Sequence, residues 1–215
     1  MEKQLETIPD YLIKEIIDGK KYYYKDYQKV LTKETTLEAI MGCSETQARI
    51  INAILQFLFK NVDARSFDIL SGEVGIHLSH TNNFAIDIAV FDRATLPKNR
   101  DKNKYIPAAP LFAFEVDINI EPEEEYLHKK KRKDDFSYML NKSSRLIDAG
   151  TQKVIWILTA SKIVLVFEKS AEGKIINSHV SWKESFDITI GKAFRVAIEK
   201  WLIEGGQEEI LEDLQ

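Results

Sequence analysis

Two short apolar runs, each carrying acid at its centre, constrain this chain more than any other feature. Residues 84–91 alternate as a strand does, with successive side chains on opposite faces. Phe84, Ile86, Ile88 and Val90 share one face, and Ala85, Asp87 and Ala89 share the other. Residues 111–118 repeat the arrangement, with Phe112, Phe114, Val116 and Ile118 on one face and Ala113, Glu115 and Asp117 on the opposite one. In both runs the bulky residues take one side and the acids sit beside alanines. An ionised carboxylate is costly to bury unless it is paired or bound to a metal. Small neighbours leave open volume above the strand, where a hard cation and its waters would fit. Alternation alone leaves open a half-exposed sheet with Asp87 and Glu115 facing solvent. That reading is weaker for Glu115, because residues 111–116 are apolar enough for burial on both sides.

Around these runs the periodicity is mixed. Residues 11–17 and Lys20–Tyr24 flank Asp18-Gly19, a two-residue hairpin signal. Leu37–Met41 reads as a short connector. Ser44 reads as a helix cap with Gln47 as its capping-box partner, and Ile50, Ile51, Ile54, Leu55, Leu58 and Phe59 follow at helical spacing. Residues 67–70 and 73–78 read as strands about a Ser71-Gly72 turn. Residues 93–105 are a polar loop. Pro122 and the three glutamates after it suit a helix N-terminus, and the helical pattern runs to a cap at Ala149-Gly150. Residues 154–158, 163–168 and 175–182 read as strands, and 194–203 as an amphipathic closing helix. The order predicts an α/β fold, a mixed central sheet flanked by helices. A chain of 215 residues, without repeat or linker, suits one domain over 1–204. The polar, acidic residues 205–215 are predicted to fray.

Composition narrows the function classes. The 44% hydrophobic and 30% charged fractions are those of an ordinary globular protein. A lone Cys43 excludes an internal disulfide framework and a multi-cysteine zinc site. No run is apolar enough to span a bilayer, and the N-terminus lacks a signal-peptide pattern, so no membrane partner and a cytoplasmic location are expected. A net charge of −4 counts against nonspecific coating of nucleic acid. It does not count against a carboxylate site, which is negative until a divalent metal occupies it. Asp87 and Glu115, with a backbone carbonyl such as that of Val116, would hold Mg2+ or Mn2+ and leave positions open. No phosphate-binding glycine loop, dinucleotide fingerprint or Gly-x-Ser-x-Gly elbow is present, which argues against NTPases, Rossmann oxidoreductases and serine hydrolases.

A more specific pattern spans the chain. An acid lies in one strand, a glutamate in the next, then come a lysine-bearing helix, Ala-Gly and a tryptophan-containing strand. On these residues the chain resembles the Uma-two family of bacterial endonucleases, a branch of the PD-(D/E)XK superfamily, over residues 11–165. Glu15-Ile16-Ile17-Asp18-Gly19 is similar to the family's Glu-x-x-Asp-Gly hairpin. Ile86-Asp87-Ile88-Ala89-Val90 is similar to its Pro-Asp-x-x-x-Val strand, and Phe114-Glu115-Val116 to its Glu-Val strand. Lys142, eight residues before Gly150, stands where the family carries a helix lysine. The segment from Ala149-Gly150 to Trp156 matches Ala-Gly-x-x-x-x-Trp. The chain departs from the pattern at Ile86 for Pro, Asp117-Ile118-Asn119 for Ser-Pro, Leu146 for Tyr and Gln47 for His. Asp117 stands in place of the lysine of the superfamily's Glu-x-Lys signature, where it is either an extra ligand or a source of like-charge crowding.

The resemblance implies a restriction-endonuclease-like fold and metal-dependent hydrolysis of DNA phosphodiester bonds. It implies Mg2+ or Mn2+ on Asp87 and Glu115, with Asp117 and Glu15 as further candidate ligands. Lys142 would orient the attacking water or neutralise a phosphate oxygen. The alternative is a catalytically inactive nuclease-fold module that binds nucleic acid or a protein partner; a purely structural domain is a third reading. Many nucleases of this class act as homodimers. Taken alone, Lys142 is a solvated helix lysine and Glu15 a solvent-facing hairpin residue. The basic run 129–133 suits either a phosphate backbone or a solvated helix face paired with nearby acids. His77 and His80 fall on opposite strand faces, which disfavours a two-histidine metal site, and His128 and His179 have no evident partner.

Overall fold

The computed structural model describes residues 8–117, 120–122 and 135–213. Asp18-Gly19 turns the chain between β1 (Ile13–Ile17) and β2 (Lys20–Tyr24). Both turn residues have positive φ, 52° and 76°, as a type I′ hairpin requires. Short helices α1 (Tyr27–Leu31) and α2 (Leu37–Met41) lead to α3 (Glu45–Asn61). Ser44 Oγ accepts from the Gln47 amide at 3.2 Å and satisfies a donor in the first turn of α3. The apolar stripe Ile50, Ala53, Ile54 and Leu58 is buried against the sheet.

β3 (Phe67–Ser79) and β4 (Asn82–Asp92) form a long antiparallel ribbon. The turn expected at Ser71-Gly72 is a bulge instead. β3 runs through it for 13 residues, and the register with β4 slips between Ser71 and Val74. Gly72 and Glu73 absorb the slip at φ 92° and 55°. The buried, apolar β4 pairs with β3 on both sides of the bulge and so keeps the strand whole.

β5 (Phe112–Val116), β6 (Ile120–Pro122), α4 (Asp135–Asp148), β7 (Lys153–Leu158), β8 (Ile163–Lys169) and β9 (Ile175–Ser181) follow. Among the described residues, nine strands form one mixed sheet, ordered β6-β2-β1-β4-β5-β7-β8-β9 with β3 on β4. β5 and β7 are parallel and the intervening segment contains α4, whereas the other pairings are antiparallel. Pro122 closes a three-residue edge strand rather than opening a helix. Its missing N–H is tolerated there. The glutamates after it, His128 and the basic run 129–133 lie outside the described residues.

The C-terminal region corrects two further expectations. Residues 194–203 are not one helix. Phe186–Ile190 (β10) and Lys192–Val196 (β11) pair as a hairpin, and helix α5 covers Ile198–Glu204. Pairing of Phe194 with Ile188 and of Val196 with Phe186, in a strand whose Phe186, Ile188 and Ile190 bury alternately, holds the start of the expected helix extended. Nor do residues 205–215 fray throughout: α6 (Glu209–Asp213) is anchored by Ile210, which is buried in the core.

The sheet is covered on both faces. α3, α5, α6 and the β10–β11 hairpin pack with Ile88, Val90, Phe112 and Phe114, while α4 packs with Ala89, Ala113, Val154 and Trp156. β3 lies along one edge of β4. β1 and β5 share the other, β1 at Asn83 and β5 at Ile88–Val90. The sheet therefore forks around residues 84–87, and the polar cluster lies in that fork.

Candidate functional site

The fork frees backbone groups that would otherwise join a ladder, and charged side chains take them up. The Ala85 N–H donates to Glu15 Oε1 at 3.0 Å, and the Ala85 carbonyl accepts from Lys142 Nζ at 2.8 Å. Across the gap, the Val116 N–H donates to Asp87 Oδ2 at 2.7 Å. These pairings satisfy buried backbone and hold the side chains in place. Glu15 comes from β1, Asp87 from β4, Glu115 from β5 and Lys142 from α4. Gln47, from the first turn of α3, reaches the fork and donates to Asp87 Oδ2 at 3.3 Å.

Lys142 is the hub. Its ammonium lies 2.6 Å from Glu15 Oε1 and 2.9 Å from Glu115 Oε1. Tyr138, one helical turn earlier, donates to Glu15 Oε2 at 2.8 Å. Lys142 is 1% exposed, Glu115 4% and Asp87 9%. The half-exposed reading of the acids therefore does not hold, and Lys142 is no solvated helix lysine. The ammonium lies against Glu115 Oε1 without hydrogen-bond alignment, which leaves that buried oxygen attracted by charge but without a donor.

Burial sets the electrostatics. It pushes the Glu115 carboxyl up to about 8, with Lys142 opposing and Asp87 and Glu15 reinforcing. Asp87 is raised by burial too, tempered by the Val116 N–H, Lys14, Lys142 and Gln47. Burial works against the charge on Lys142, but Glu115 and Glu15 outweigh it and raise its pKa. Burial, then Glu15 and Glu115, keep Tyr138 a phenol and hence a donor.

Two further candidate ligands have other partners in this structure. Glu15 joins the cluster, but its oxygens already accept from Ala85, Lys142 and Tyr138, so it serves to hold Lys142. Asp117 does not continue the alternation from Glu115. β5 ends at Val116, and Asp117 takes a left-handed φ of 59°. Its Oδ1 accepts from the Thr159 N–H at 2.8 Å and its Oδ2 from the Thr159 hydroxyl at 2.7 Å. It borders the cleft but braces the turn after β7.

The sequence reading missed Tyr138, the contact of Gln47 with Asp87, and Lys14. Lys14 lines the cleft and pairs with Glu73 at 2.8 Å. The four-residue spacing of Tyr138 and Lys142 was a usable signal. Lys14 offered none, because its place depends on the bulge that turns Glu73 toward it.

The cleft leaves a cavity of about 10 Å3, room for one water-sized occupant. No donor among the described residues reaches Asp87 Oδ1, and Glu115 Oε1 faces the Lys142 ammonium without an aligned hydrogen bond. These are two hard carboxyl oxygens, and with Glu115 raised to about 8 a bound cation would have to displace its proton near neutral pH. Among the described residues no group of three His, Cys, Asp or Glu side chains stands ready for a metal. Two carboxylates fit an ion that keeps most of its waters or takes phosphate oxygens, as Mg2+ does.

No protein-family model matches the chain, and no curated protein does. Among solved structures it is similar to a crystal structure described as a "putative nuclease belonging to DUF820", from Anabaena variabilis ATCC 29413. The likeness covers 92% of this chain and 96% of that one, with a TM-score of 0.59 and 13% identity. The fold is nuclease-like. At that identity the likeness concerns architecture, and the chemistry rests on the fork itself.

Proposed function

We propose that this protein is a divalent-metal-dependent endonuclease of the Uma-two kind that hydrolyses DNA phosphodiester bonds. The observation carrying the reading is the convergence of Asp87, Glu115 and Lys142, from three different elements, on one buried fork in a nuclease-like fold. Asp87 and Glu115 would hold Mg2+ or Mn2+. When bound, the ion would lower the pKa of a water and offset charge on the phosphate. Gln47 and the Val116 N–H fix the Asp87 carboxylate through Oδ2 and leave Oδ1 for the cleft. Lys142, kept protonated by Glu15 and Glu115, is poorly suited to act as a general base. It supplies fixed positive charge and a donor to the phosphate or to the attacking water.

A second reading, an inactive nuclease-fold module, is favoured by one contact: the Lys142 ammonium already offsets Glu115, an intended ligand. Manganese calorimetry separates the two. The nuclease reading expects saturable binding by the wild type, lost in folded Asp87→Ala and Glu115→Ala variants, together with loss of metal-dependent DNA cleavage. A folded wild type that binds no manganese and cuts no DNA supports the inactive module.

A further inference from the structure

Tyr105 is 55% exposed, yet its position is fixed. The next residue, Ile106, is tied to β3 twice. The His77 N–H donates to its carbonyl at 3.0 Å, and its own N–H donates to the Gly75 carbonyl at 2.9 Å. The Tyr105 ring settles on Gly75, where a Cβ would come within 2.5 Å of a ring carbon; a side chain there would displace the ring.

The location matters as much as the anchoring. Gly75 pairs directly with Ala85 across the β3–β4 ladder. Opposed residues face the same side of a sheet, and Ala85 and Asp87, two apart on one strand, share that side. The ring therefore lies on the carboxylate side, one strand spacing of about 4.8 Å from the strand whose Ala85 peptide is held by Glu15 and Lys142. Beyond the ring opens a cavity of about 410 Å3, bordered by Tyr105, Pro107, His77, Lys104 and Asp101. That volume accommodates a nucleobase, and Lys104 at its border, paired loosely with Asp101 at 3.9 Å, would have to exchange that partner for a neighbouring phosphate.

We propose that Tyr105 is a base-stacking platform for an unpaired nucleotide next to the phosphate in the fork. The substrate strand is then single-stranded or locally opened at that nucleotide. The inference rests on the nuclease reading and adds a substrate class to it. An exposed aromatic ring beside a lysine recognises any base by its flat face. In a duplex the faces of each base are covered by its neighbours, so the ring can take only a base that has left the stack.

The test uses single-stranded DNA of about 12 nucleotides carrying 5-iodouracil, in metal-free buffer, against a blunt-ended duplex of the same strand in which every base is paired. Fluorescence anisotropy is expected to show affinity for the single strand falling about tenfold in Tyr105→Ala and holding in Tyr105→Phe. Photocrosslinking is expected to map to Tyr105, and manganese binding by calorimetry to be the same in both variants as in the wild type. Unchanged single-strand affinity in Tyr105→Ala, an equal loss on the duplex, or no binding of the single strand by the wild type overturns the proposal. If manganese binds and the single strand does not, stacking fails while the metal reading stands. If the single strand binds through Tyr105 and manganese does not, the platform is retained and the metal reading fails.

Discussion

The two faces of the central sheet come from the same strands and are packed by opposite rules. On the α3 side, Ile88, Val90, Phe112, Phe114 and Val116 meet Ile50, Ile54, Leu58 and Trp201 in a core without charged side chains. On the α4 side the same two central strands present Ala89, Ala113 and Glu115, and the helix answers with Lys142 and Ser143, both buried, while Asp87 in the fork is met by Gln47 from α3. The first face is held by area removed from water, a term indifferent to pH and tolerant of repacking. The second holds charges that are tolerable only while each keeps its partner. A chain selected for stability alone would gain by making both faces alike. Retaining buried acids beside alanines, where larger apolar residues would fill the space, is what the proposed site would require of the fork between the two faces.

The largest expected effect comes from removing the hub of that face. Lys142→Met leaves Glu15 buried without its counter-charge, beside a Glu115 that holds a proton near neutral pH, a loss of about 3–5 kcal/mol. Urea unfolding near neutral pH measures it. Adding Glu15→Gln to Lys142→Met should recover part of the loss, because the orphaned charge is gone. If Lys142→Met is as stable as the wild type, the charged face does not depend on its pairs and the contrast collapses.

A smaller effect, of opposite sign, is expected from Glu115→Gln. The carboxyl is raised from an ordinary 4.5 to about 8, so between those values the folded state holds a proton that the unfolded chain has released. The stability that this group lends is fully present below about pH 4.5 and is lost as pH rises through about 8. The glutamine variant carries no such proton. It should therefore gain on the wild type steadily over that window, with the gap flat above it. Urea midpoints taken across pH 5–9 would read this directly, and a gap that does not move with pH removes the buried proton from Glu115.

What could be read from the sequence follows the same division. The apolar face was legible in part: helical spacing from Ile50 to Leu58 and the burial of Ile88 and Val90 are local patterns that tertiary packing reinforces, but Phe84 and Ile86, expected on the face of Ile88 and Val90, pack in the α4-side cluster instead, because the ladder slips and the sheet forks beside them. Asp87 and Glu115 were legible for a related reason, since acids among alanines stand out within a run of large apolar residues. The role of Glu15 was not, because what it holds lies far along the chain, at Ala85, Tyr138 and Lys142. Asp117 was misplaced by the very rule that found Glu115. Alternation holds only while the strand lasts, and β5 stops at Val116. The β10–β11 hairpin was lost because Phe194 also fits a helical stripe running toward Trp201, and short apolar runs suit either period.

The smallest expected effect tests that misplacement. Thr159→Val removes the hydroxyl that donates to Asp117 Oδ2 and keeps the backbone amide that donates to Oδ1. One partly buried hydrogen bond to a carboxylate is lost, for a destabilisation of about 1–2 kcal/mol. If Asp117 is a brace, manganese affinity should stay within about twofold of the wild type, since the change alters neither Asp87 nor Glu115 and an effect that small is only about 0.4 kcal/mol of binding energy. If freeing Oδ2 instead raises manganese affinity about tenfold, Asp117 is a ligand held in check by Thr159. The proposed site would then extend past the end of β5 to the turn after β7, and the boundary between the two modes of packing would lie one residue beyond Val116.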